Sequence, residues 1–142
     1  MKKWKQPAVQ KDPPGKSPRI GADIPGADHI IFRFSVIDPD GPFGWREVAA
    51  TDLWRHIKQR VASVETMTWP ELMRGGDNHV LSPEKLSREA RQRLEDIHQG
   101  DAADQLFSLH VTGRMRIIGI RDRRYFRILW WDPNHAVCPV NK

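Results

Sequence analysis

Leu106-Phe107-Ser108-Leu109-His110-Val111, Met115-Arg116-Ile117-Ile118-Gly119-Ile120 and Tyr125-Phe126-Arg127-Ile128-Leu129-Trp130-Trp131 are the three stretches whose reading decides the fold. Each is short and rich in β-branched and aromatic residues, and they are separated by Thr112-Gly113 and by Asp122-Arg123. Turns this close join neighbouring antiparallel strands, so the last third of the chain predicts a three-stranded antiparallel meander. In an extended strand alternate side chains share a face. Phe107, Leu109 and Val111 then join Met115, Ile117, Phe126, Ile128 and Trp130 as the core face. Ser108, His110, Arg114, Arg116, Arg127, Leu129 and Trp131 fall on the opposite face, which should meet water.

Working outward, His29 to Ile37 is a β-branched and aromatic run closed by Asp38-Pro39-Asp40-Gly41-Pro42, and it predicts a first strand followed by a turn. Asp38-Pro39-Asp40-Gly41 resembles the start of a calcium loop, but no later acidic ligands follow at the needed spacing, so it is read as a turn. Thr51 can cap a helix in which Leu53, Trp54, Ile57, Val61 and Val64 recur at helical spacing. Thr68-Trp69-Pro70-Glu71 has the form of a capping box and starts a short second helix. Ser82-Pro83 opens a third, with Leu86, Ala90, Leu94 and Ile97 as its apolar stripe and Gly100 as its stop. The order is strand, two to three helices, three strands: an α+β fold with the helices packed on one face of the sheet.

With 142 residues the chain suits one domain, with apolar residues enough for one core but hardly two. Residues 27–142 form that domain. Residues 1–26, rich in Lys, Pro, Gly and Gln and without apolar period, are expected to be a flexible basic tail. The polar, proline-bearing stretch Gln6 to Gly15 is unlike a signal peptide, and no run is long enough to cross a bilayer. Cys138 is the lone cysteine, which excludes an intrachain disulfide and makes a cysteine zinc site unsupported. The expected compartment is the cytoplasm, with no cofactor and no metal.

The net charge of +5 is unevenly spread. Residues 1–26 carry six basic and two acidic side chains, residues 27–105 ten and fourteen, and residues 106–142 seven and two. A mildly acidic middle lies between two basic ends, and basic ends attract phosphate or an acidic protein. Arginine suits phosphate because its planar guanidinium presents fixed donors and stays charged, and tryptophan suits an unstacked base. Arg114, Arg127, Trp131, Arg121, Arg123 and Arg124 are therefore candidate RNA-binding residues. His135 follows the last strand in Trp131-Asp132-Pro133-Asn134-His135, where Asp132 can cap the turn. Histidine takes and returns a proton near neutral pH, as cleavage of RNA by its own 2′-hydroxyl requires, and arginine can stabilise the charge gathered in the transition state. Candidate catalytic residues are thus His135, Arg116 and His110. His29, His56, His79 and His98 have no ligand-like spacing, and Trp54, Trp69 and Trp130 are assigned to the core.

The end of the chain, Arg114-x-Arg116-Ile-Ile-Gly-Ile and Tyr125 through Trp131-Asp132-Pro133-x-His135, resembles a group of small bacterial proteins that close on a W-x-D-P-x-H motif. The order of elements over residues 28–137 is similar to that of the RelE/ParE toxin superfamily. That resemblance implies a toxin of a toxin–antitoxin pair, with a cognate antitoxin as partner. In the ribonuclease branch it implies metal-independent cleavage of mRNA, often on the ribosome. The superfamily's middle-strand arginine would fall on Arg116 and its residue after the last strand on His135. The alternative is a non-catalytic module that binds nucleic acid or protein through the same basic sheet.

Overall fold

The computed structural model describes residues 25–139. Most of the basic tail, residues 1–24, lies outside them. The fold is α+β, built on a five-stranded mixed sheet in the order β1-β5-β4-β3-β2. The strands are β1 (Ile31–Arg33), β2 (His79–Val80), β3 (Leu106–Thr112), β4 (Met115–Asp122) and β5 (Tyr125–Asp132). The meander β3-β4-β5 is antiparallel as its turns require, with Gly113 in the left-handed region at φ 53° and Arg123 likewise at φ 57°. Two edge strands complete the sheet. β1 runs parallel to β5, and β2 is antiparallel to β3 through His79 opposite Ser108 and Val80 opposite Phe107. A two-residue strand is too short to carry an alternation, so β2 leaves no trace in the sequence pattern.

The first strand is shorter than the apolar run predicted. After Arg33 the chain leaves β5, closes a turn through Ile37 N–H donating to Phe34 O, and rejoins β5 where Asp38 N–H donates to Leu129 O. The excursion leaves Phe34 67% exposed.

The helices do not lie on one face; they cover both. On one side α1 (Ala50–Asp52), a π turn (Leu53–Ile57) and α2 (Lys58–Val64) run on as one helical segment, followed by α3 (Trp69–Met73). Their Ile57, Val64, Trp69 and Leu72 pack with Phe107, Leu109, Ile117, Phe126, Ile128 and Trp131. On the other side α4 (Arg88–Asp96) sets Ala90 and Leu94, with Leu86 before it, against Leu106, Ile118, Ile120, Leu129 and Trp130. One sheet thus divides the apolar residues into two cores, and the residues of β3 and β4 serve one or the other by parity.

Local signals explain some helix ends, with three corrections. Thr68 caps α3, with half of a capping box: its hydroxyl accepts from Glu71 N–H at 3.3 Å, while Glu71 Oε1 takes its bond from that hydroxyl, at 3.0 Å, in place of the Thr68 backbone N–H. Ser82-Pro83 opens only a 3₁₀ turn, Pro83–Lys85; the cap of α4 is Ser87, whose Oγ accepts from Ala90 N–H. Nor does Gly100 end that helix. His98 takes the left-handed conformation at φ 59°, and His98 N–H and Gln99 N–H close back on Glu95 O and Leu94 O. This pair of bonds is a Schellman closure with histidine where glycine is usual. Thr51 sits inside the first turn, which starts after Ala49 without a side-chain cap.

Asp38 ties three of these pieces together. It is 3% exposed, and its carboxylate accepts from Arg93 of α4 at 2.8 Å through both oxygens and from Trp130 Nε1 at 2.9 Å. Burial pushes its pKa up, but the hydrogen bonds from Arg93 and Trp130 and the charge of Arg93 outweigh this and hold the carboxyl below 3.8. Since the folded value is the lower one, the resulting stability is complete above the pKa of the unfolded carboxyl and fades as pH falls toward the folded value. Asp38→Ala should cost about 3 kcal/mol in urea unfolding at neutral pH, because it strands the buried indole N–H and the Arg93 fork. Asp38→Asn should lose the part of the wild-type pH dependence that lies below about pH 4. Identical acid slopes for wild type and Asp38→Asn would show that this carboxylate contributes none of it.

Candidate nucleic-acid interface

Where the predicted side chains fall depends on one irregularity in β5. Ile118 pairs with Trp130 and Gly119 with Ile128, so Leu129 is an extra residue, a β-bulge. Beyond it the alternation is reversed. Trp131, expected on the wet face beside Arg127, instead joins Phe126 and Ile128 in the core under α2, 4% exposed and 5.8 Å from the Trp45 ring. Trp130 moves with Leu129 into the opposite core. Opposite the bulge only glycine fits, for a Cβ on Gly119 would lie 2.3 Å from the Phe126 ring. Nor is the wall predicted for Ser108 and Leu129 open: α4 packs on that face, and Ser108 is 3% and Leu129 0% exposed. Trp54, assigned to the core, is 66% exposed.

The remaining candidates separate to the two ends of β4. Its eight residues span roughly 23 Å. At the β3–β4 end, His110 and Arg116 are opposite one another in the ladder, and both side chains reach the carbonyl of Gly113: His110 Nε2 at 3.2 Å and Arg116 Nη1 at 2.7 Å. The same Arg116 nitrogen donates to Met115 O at 3.1 Å, whereas its buried Nε has no partner among the described residues. Burial lowers the Arg116 pKa, against the fields of Asp77 and Asp132. His110 Nδ1 faces Asp77 Oδ2 at 3.9 Å. Arg114 is exposed at the hairpin tip.

Asp132, opposite Arg116 in the ladder, brings His135 to this end. It is 2% exposed and caps the turn as its position suggested: Oδ1 accepts from Ala136 N–H at 2.8 Å and Oδ2 from Val137 N–H at 2.9 Å. His135 stands half-buried within that turn at φ 57°, a left-handed conformation that fixes its backbone. Sequence reasoning missed Arg60 and Asn78 here. Arg60 donates to His110 O at 2.7 Å and to Asn78 Oδ1 at 3.3 Å, and that same Oδ1 accepts from His110 N–H at 2.9 Å. Nothing in a helical arginine's spacing signals a partner fifty residues away.

The β4–β5 end is the more basic. Arg121 lies 4.5 Å over the Trp69 ring, and Arg124 is spent on backbone, donating to His29 O and Gly26 O. Arg33, which no sequence signal had singled out, pairs with Arg127 across the β1–β5 ladder. Its guanidinium sits 4.4 Å from the Tyr125 ring centre, and that of Arg123 sits 5.9 Å from the same ring. Arg123 also meets Asp122 at 3.3 Å, an exposed pair. Two like charges side by side on one sheet face repel, which favours an anion between them.

Among the described residues no group of three or more His, Cys, Asp or Glu side chains could hold a metal ion, and no helix is long and apolar enough to cross a membrane. Asp132→Ala should expose the Ala136 and Val137 amides to faster hydrogen exchange and cost about 2 kcal/mol, one buried and one part-buried donor losing their acceptors; unchanged exchange at both amides would remove the capping role. No protein-family model, no curated protein and no solved structure matches the chain.

Proposed function

We propose that the protein binds RNA, with Arg33, Tyr125, Arg127 and Arg123 as the contact surface. The observation that carries this reading is the juxtaposition of Arg33 and Arg127 in the ladder beside the Tyr125 ring. Among the described residues neither arginine has a carboxylate partner within salt-bridge distance. Guanidinium planes and a phenol ring are the groups on which unpaired bases stack, and the arginines can at the same time hold phosphates. The chain preceding Pro25, with six basic and two acidic residues, joins the fold at this end, where Gly26 and His29 are held by Arg124.

A second reading, the RelE-like toxin that cleaves mRNA without metal, in the cytoplasm and under control of an antitoxin, is favoured by the other end. There His110 and Arg116 converge on one carbonyl, with His135 on the same rim. In this reading the two imidazoles move the protons and Arg116 stabilises the charged transition state.

Two measurements separate the readings. Titrating single-stranded RNA at several salt concentrations should give a steep salt dependence, and Arg33→Ser with Arg127→Ser should flatten the log–log slope by about 0.7 for each phosphate that is no longer neutralised. An unaltered slope would place binding elsewhere. Incubating RNA with the protein in chelator should yield fragments if the second reading holds, and His110→Ala, Arg116→Ala and His135→Ala should abolish them while leaving binding in place. RNA that stays intact in every tube while bound to folded protein disposes of catalysis and leaves the binding reading standing.

A further inference from the structure

An unpartnered apolar surface lies where the π turn faces the excursion that follows β1. A groove of about 440 Å³ opens there, lined by Phe34, Trp45, Leu53, Trp54, Ile57 and Val61 among others. Leu53 and Trp54, neighbours in sequence, both face it from the π turn, a helical irregularity that recurs at functional sites. Phe34 and Trp54 are 67% and 66% exposed on its walls. Two large aromatic groups left this wet beside an apolar cleft are a surface waiting to be covered.

Three observations point to what covers it. The groove runs into a neighbouring cleft, lined by Gly26, His29 and Ile31, with which it shares Phe34, Val61 and Glu65. The chain therefore enters the described fold at the mouth of a path leading into the groove. Before that point stand 24 residues, whose extended reach of roughly 80 Å far exceeds any dimension of the site. Finally, that segment carries Ile20 and Ile24 close to the entry and Trp4 further out, in a stretch with six basic and two acidic residues, and it would pass Glu65 at the junction. A segment tethered at the rim has a high effective concentration there, so weak apolar contacts suffice.

We propose that the chain's own N-terminal segment, residues 1–24, folds back along this path and seats its apolar side chains in the groove over Phe34 and Trp54.

The test uses the full chain. With Cys138 replaced (Cys138→Ser) and a nitroxide attached through Ser17→Cys, the Trp54 indole resonance and the Phe34 amide should be strongly broadened, while the indole of Trp130, in the opposite core, should not. Adding Ile20→Asp and Ile24→Asp to the tagged protein should restore both signals, with all other resonances in place as proof of folding. Equal intensities at Trp54 and Trp130 in the tagged protein would overturn the proposal. So would broadening that appears only when nitroxide-tagged protein is mixed with isotope-labelled, untagged protein, since that outcome makes a second copy the occupant.

Discussion

The carboxylate of Asp38 is the constraint on which the arrangement turns. Burying a charge is costly, and the fold meets that cost with the bidentate fork of Arg93 and the indole N–H of Trp130. These three groups come from the turn after β1, the middle of α4 and the end of β5. Fixing them together settles how the long connection returns to the sheet edge, which face α4 covers, and where the large Trp130 side chain goes. Gly41, at φ 81°, lies so close to Arg93 that a Cβ there would sit 2.4 Å from its Nε, so the turn is shaped around the guanidinium.

The bulge at Leu129 has the second largest effect. The β3–β4 ladder shifts register between His110 and Thr112 without turning a core residue outward, whereas in the second half of β5 one unpaired residue reverses the alternation. A one-residue reversal moves an indole from one side of a sheet to the other. The loss of the exposed tryptophan platform follows from it, whereas the closure of the predicted wall and the division of the apolar residues into two cores come from helices on both faces of the sheet. No residue in Ile128-Leu129-Trp130-Trp131 announces the bulge; only the glycine across from it, Gly119, marks a place where the ladder is crowded.

What the sequence disclosed was therefore what depends on local chemistry. The meander is bounded by turn residues that must be where they are, Thr68 and Asp132 cap the turns beside them, and Leu53 to Val64 is helical with Ile57 and Val64 buried, though Trp54 is not. What it withheld depends on tertiary pairing. The parallel placement of β1, the covering of both faces and the separation of the arginines to two ends are decided by residues that meet across most of the chain. Of the proposed site, that His110 and Arg116 share a face followed from alternation, but their direct pairing depends on a register shift between His110 and Thr112 that a Thr112-Gly113 turn did not foretell. Arg33 was invisible as a partner of Arg127, since its neighbour lies at the far end of the sequence.

That same pairing orders events during synthesis. β1 has no strand neighbour except β5, and Arg124 anchors to His29 across 95 positions. A nascent chain emerging from the ribosome thus carries Ile30, Ile31, Phe32 and Phe34 without their strand partner among the described residues until β5 has been made. Closure of so large a loop is slow. Until the final hairpin appears, the apolar opening of the domain is the stretch that a chaperone, or a premature encounter with another nascent chain, would find first.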